Sequence, residues 1–71
     1  MQWHGLGKRL RAARERRGLL ITEVAESLGV TRQTVHRWET GAFEPSVEML
    51  ARLSELYDVS TDHLIHGDNA A

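Results

Sequence analysis

Between Arg32 and Arg37 the sequence carries two arginines, a glutamine and a histidine, and Trp38 follows at once. Arginine can donate two parallel hydrogen bonds to O6 and N7 of guanine, and glutamine pairs with the N6 and N7 edge of adenine. Arginine and histidine also bind phosphate. Such side chains read a duplex only if one rigid element carries them on one side. At about 100° per residue, Arg32, Gln33, His36 and Arg37 share a helical sector of about 140°, with Val35 and Trp38 on the other side. The apolar pair fixes such a helix to a core. The polar sector then faces outward near the helix N-terminus, where free N–H groups and the macrodipole favour anions. Four polar residues on one helix are, by themselves, more often a solvated face. The surrounding arrangement shifts that balance: a cap, a short corner and a preceding short helix.

Five helices are expected from the apolar spacing, and no segment alternates with a strand's period. The first spans about 6–17. Leu6, Leu10 and Ala13 fall on one face, Arg14 flanks that stripe, Lys8, Arg9, Arg11 and Arg16 point elsewhere, and Gly18 is the stop. The second spans about 21–28, with Val24, Ala25 and Leu28 inward and Gly29 ending it. The third spans about 32–40, capped by Thr31 through the N–H of Gln33 or Thr34 and stopped by Gly41. Only Gly29, Val30 and Thr31 separate the second and third, which forces a sharp corner with Val30 turned inward. The fourth, about 47–57, is capped by Ser46 behind Pro45. Its apolar residues cover more than half of its circumference, which predicts a central helix contacted from several sides. The fifth, about 61–66, follows the Asp58–Val59 turn and the cap Ser60. Residues 1–71 read as one all-α domain, ordered over about 5–67, with Gly67 to Ala71 frayed.

The 71 residues carry a net charge of −1 and no cysteine. No disulfide and no thiolate zinc site can therefore staple the fold, so a compact bundle or a dimer is expected. Charge is unevenly spread. Residues 1–40 hold eight Lys/Arg against four Glu, a net +4, and residues 41–71 hold Arg52 against six acidic residues, a net −5. A polyanion meets a face and not a total, so the overall acidity does not exclude nucleic acid. The longest apolar run, Leu19-Leu20-Ile21, is far too short to span a bilayer, and the N-terminus lacks a signal-peptide core. A soluble, cytoplasmic protein is expected. Neither a nucleophile–base pair nor a phosphate-cradling glycine loop is present, "GLG" at Gly5 to Gly7 being too short. No enzyme activity and no cofactor are therefore expected. His63 and His66 stand i, i+3 apart but have no third ligand nearby, so no metal is expected either.

The pieces "VAESLGVTRQTVHRWETG", "EPSVEMLARLSELYDVS" and "DHLI" are similar to the helix-turn-helix domain of the Cro/phage-repressor (xenobiotic-response-element) family of transcription regulators. The resemblance covers roughly residues 6–66. It implies a five-helix, lambda repressor-like bundle that binds double-stranded DNA at an operator and regulates transcription, as a repressor. The recognition helix is then Arg32 to Thr40, and the base-reading positions are Arg32, Gln33, His36 and Arg37. Arg14, Thr31, Thr34 and Thr40 are the implied phosphate contacts. Arg14 is further implied to pair with Glu39, setting the recognition helix against the first helix. One such helix reads few base pairs, so a homodimer on a palindromic operator, with half-sites about 34 Å apart, is implied. The apolar residues left over, Tyr57, Val59, Leu64 and Ile65, form its expected interface.

Two departures bear on affinity. Where the family usually starts its second helix with Ser or Thr followed by Gln, this chain has Leu20 and Ile21, and Thr22 takes over capping if the helix starts later. After Gly41, where Lys or Arg is common, stand Ala42 and Phe43. Losing both phosphate contacts predicts weaker binding and a shallower salt dependence. These departures keep open an antitoxin or anti-repressor that grips a protein through its acidic half. A DNA-binding fragment of a larger regulator is the other alternative. Trp38, beside Val35, reads as a core or phosphate-edge anchor rather than a stacking platform for bases. Trp3 either covers the bundle or joins a dimer contact, and Phe43 either tucks inward or meets a partner.

Overall fold

The computed structural model describes residues 3–67. Helices α1 (Leu6–Arg16), α2 (Ile21–Leu28), α3 (Arg32–Thr40), α4 (Val47–Tyr57) and α5 (Thr61–His66) follow in chain order, and no strand occurs among the described residues. The fold is all-α. The expected frayed end beyond Gly67 lies outside the described residues.

Every helix contributes to one core. The α1 stripe Leu6, Leu10 and Ala13 is buried, as are Val24, Ala25 and Leu28 of α2 and Val35 and Trp38 of α3. The tightest packing sets α1 against both α3 and α5, α2 against α3, and α4 against α5. Local signals end the helices where this packing needs them to end. After α1, Leu19 N–H reaches the Arg14 carbonyl at 3.1 Å and Gly18 N–H that of Glu15 at 3.0 Å, a Schellman closure. It requires Gly18 in the left-handed region, at φ 69°. The α2–α3 corner closes likewise, Val30 N–H donating to the Ala25 carbonyl at 3.0 Å. Thr31, Ser46 and Ser60 cap their helices, each hydroxyl accepting the N–H three residues on.

Three expectations need correction. Thr22 does not cap α2: the helix starts at Ile21, with Leu20 in the cap position. Leucine has no oxygen to offer the orphan N–H groups. The Glu23 carboxylate instead accepts the Leu20 N–H at 2.8 Å, so only the reverse half of a capping box forms. Nor is α4 the central helix contacted from several sides: its closest packing is against α5. It buries one stripe, Leu50, Leu53 and Tyr57, while Val47 is 77 % exposed. The helix lies on the flank of the bundle, so part of its apolar arc faces water. Finally, Tyr57 and Leu64 are not available to a second copy, being 2 % and 0 % exposed within one chain. Burial pushes the Tyr57 phenol above its usual range; the nearby Glu39 carboxylate adds to that shift and Arg14 opposes it.

Gly7 sets the approach of α1 to α3. A Cβ there would stand 2.5 Å from the Glu39 carbonyl oxygen and 2.9 Å from that of Trp38. Those oxygens belong to backbone and cannot swing aside. Alanine is the better helix former by about 1 kcal/mol, but overpacking costs about 1–3 kcal/mol. Gly7→Ala should therefore lower the thermal midpoint; an unchanged or raised midpoint would show that the two helices have room to spare.

Candidate nucleic-acid interface

The third helix presents the arrangement its sequence predicts. Val35 and Trp38 are 1 % and 6 % exposed, and Arg32, Gln33, His36 and Arg37 are exposed together on the opposite side. Thr31 caps this helix and is exposed, Thr34 is half-buried, and their hydroxyls lie 2.9 Å apart. Thr40 is exposed, and its hydroxyl donates back to the Arg37 carbonyl at 3.3 Å.

Arg14 and Glu39 meet as a two-pronged pair. Nε donates to one carboxylate oxygen at 2.7 Å and Nη2 to the other at 3.1 Å. Nη1 donates to the Leu19 carbonyl at 2.9 Å. Leu19 thus bonds Arg14 twice, through its own N–H to the backbone and through its carbonyl to the side chain. The turn that ends α1 therefore also aims the guanidinium. The side chains are 11 % and 6 % exposed. The hydrogen bond to Glu39 holds the Arg14 pKa above its ordinary value, against the opposing effect of burial. A guanidinium has five N–H donors, and these contacts use three.

Arg14 also lines an open depression of about 820 Å³, with Leu20, Ile21 and Thr22 at the start of α2 and Thr31, Arg32, Gln33 and His36 at the start of α3. Three of the four outward residues of α3, one of the threonines implied to contact phosphate (Thr31) and the buried-pair arginine thus line one concavity. Its apolar side, with Leu20 64 % exposed, is where the sequence departs from the usual polar start of α2.

Other contacts escaped sequence reasoning. Arg9 lies off the apolar stripe of α1, as its spacing predicts, but it is not idle there. It donates Nε to the Leu64 carbonyl at 2.7 Å and Nη2 to the carbonyls of His4 and Ile65. It caps the C-terminal end of α5, where carbonyls lack helical partners and a cation suits the dipole. Fifty-five positions separate Arg9 from Leu64, and no local pattern reports such a contact. Arg52 reaches the Ser27 carbonyl at the end of α2 at 3.4 Å. Phe43 does not tuck inward: it is 55 % exposed, and the Arg37 guanidinium lies over its ring. Trp3 packs half-buried against the core, its backbone N–H donating to the Glu44 carboxylate at 2.9 Å. His63 is half-buried and His66 exposed. No helix among the described residues is long and apolar enough to cross a membrane.

Comparison with known proteins bears on the same region. The chain is 38 % identical over 66 residues to the HTH-type transcriptional regulator ImmR of Bacillus subtilis, covering 93 % of this chain and 52 % of that one. It is 39 % identical over 64 residues to the SPbeta prophage-derived HTH-type transcriptional regulator YonR of the same organism, covering 90 % of this chain and 59 % of that one. A putative HTH-type transcriptional regulatory protein of Pyrococcus furiosus is 46 % identical over 52 residues, 73 % of this chain and 16 % of that one. The chain thus spans little more than half of the two Bacillus relatives and a small part of the archaeal one. A family model described as Helix-turn-helix matches residues 10–64, a stretch that contains Arg14, the three-residue corner, all of α3 and Glu39. The chain belongs to the helix-turn-helix family of Cro/C1 type.

Proposed function

We propose that this protein is a transcriptional regulator, a repressor, that binds double-stranded DNA by laying α3 in the major groove. One observation carries the reading: Arg32, Gln33, His36 and Arg37 are exposed on one side of a capped helix whose other side is buried. An α-helix fits the major groove, and these side-chain types match purine edges there. Thr31, Thr34, Thr40 and the two spare donors of Arg14 serve the phosphates beside them. Two copies act together, on a palindromic operator whose half-sites lie about 34 Å apart. With Tyr57 and Leu64 buried, the half-buried Val59 and Ile65 are what remains of the expected dimer surface. A regulator of this kind acts in the cytoplasm and is not an enzyme.

Selection of bound sequences from a random duplex pool tests the reading outright, because a palindromic consensus reports both readout and pairing. On the selected operator, Arg37→Ala should cost about 1–3 kcal/mol and relax preference at one or two base pairs. An equal loss on random DNA would make Arg37 a phosphate contact instead. The exposed Leu20, an apolar side chain at the start of α2, favours one competitor, a protein-binding antitoxin or anti-repressor on the same fold. DNA binding weakens with salt through counterion release. Salt-independent association with a protein, and no selection from the pool, would establish that competitor.

A further inference from the structure

Phe43 is a large ring left 55 % exposed at the bend after α3. It touches Arg37 twice. Its N–H donates to the Arg37 carbonyl at 3.3 Å, and the guanidinium carbon stands over the ring, 5.3 Å from the centroid. Gly41, left-handed at φ 86°, turns the chain back so that Phe43 returns onto the last turn of α3. Among the described residues the Arg37 guanidinium makes no ion pair, so the ring is what steadies it. Arginine has among the largest rotamer freedoms of any side chain, and holding it still on binding opposes affinity. A ring face attracts the guanidinium through its flat side and leaves the N–H edges free. Those edges are the donors that a guanine O6–N7 pair needs.

We infer that Phe43 is a positioning residue, whose ring holds the Arg37 guanidinium ready for two-pronged pairing with a guanine before DNA arrives. The inference rests on the proposed DNA-reading role of α3. It also gives the Ala42–Phe43 departure a purpose: the loop gives up a customary cation and steadies one already on the helix.

The test uses the wild-type chain, Phe43→Leu, Phe43→Tyr, Arg37→Ala and the Phe43→Leu/Arg37→Ala double variant. Each is titrated against the selected operator and its single-base variants, with thermal melts as a folding control. Phe43→Leu should melt like wild type, weaken operator binding roughly two- to fivefold, and flatten preference only at the base pair that Arg37 reads. Phe43→Tyr, which keeps a ring face, should bind like wild type. With Arg37 already alanine, Phe43→Leu should change nothing further. Additive losses in the double variant, an equal loss at every base pair, or tighter binding by Phe43→Leu would overturn the inference while leaving α3 as the reading helix. A wild-type chain that selects no sequence would overturn the DNA-reading role and the inference with it.

Discussion

Glu39→Ala should destabilise the fold by about 3–5 kcal/mol, the cost of leaving a buried charge without its partner. The intact pair contributes far less than that, because desolvation of both groups offsets most of their attraction. Once the carboxylate is gone, Arg14 keeps only the Leu19 carbonyl, in a site that exposes 11 % of its side chain. A 71-residue domain has roughly 4–10 kcal/mol of stability in all. The variant should therefore melt at least about 12 °C below wild type, or be partly unfolded at ambient temperature. Thermal denaturation followed by circular dichroism reads this directly. Arg14→Met combined with Glu39→Leu separates cost from contribution: it should recover most of the stability, since apolar replacements of both partners are often neutral. The recovered variant should still bind DNA poorly, having lost the phosphate donors proposed for Arg14. A Glu39→Ala protein that melts within a degree or two of wild type would mean that Arg14 escapes to water and that the pair holds nothing in place.

Leu64→Ala should also be costly, about 2–5 kcal/mol, and the loss should be that of a single chain. Leu64 is fully buried, and α5, six residues long, has no other side chain in the core cluster to hold it. Its melting point should fall equally at low and high protein concentration. Ile65→Asp makes the opposite experiment. Ile65 is half-buried at the edge of the same helix, so the change should leave the fold largely intact and separate the copies if they pair there. Sedimentation would show the monomer. A Leu64→Ala loss that changes with protein concentration would put Leu64 in the interface after all, and an undisturbed dimer in Ile65→Asp would move the interface elsewhere.

These two residues show where sequence reasoning carried and where it stopped. Arg32, Gln33, His36 and Arg37 were separable from Val35 and Trp38 because helical period alone sorts one side from the other, and the buried pair supplied the phase. The Thr31, Ser46 and Ser60 caps were legible because their bonds span three residues. Tyr57 and Leu64 were misjudged because periodicity says which residues share a face and not what that face meets. Val47 erred in the other direction: the apolar arc of α4 is wider than its neighbours can cover. Arg9 and Gly7 were beyond reach for the same reason. Each acts through backbone carbonyls dozens of residues away, and a carbonyl leaves no trace in the residue types. Glu23, three positions beyond Leu20, is in capping-box register, so that contact is legible from spacing alone.

The arginine at position 9 has a consequence for how such a fold can be joined to others. Its guanidinium bonds His4 on one side and Leu64 and Ile65 on the other, and a Cβ added at either Gly5 or Gly67 would touch it. The stretches His4–Gly5 and Leu64–Gly67 therefore meet at one spot. A short linker between these two stretches would cost little closure entropy, so a circular permutant joined there and cut in an exposed loop away from α3 should still fold. The same geometry makes the bundle a pendant. It can be spliced into the middle of a longer polypeptide without pushing apart the segments on either side.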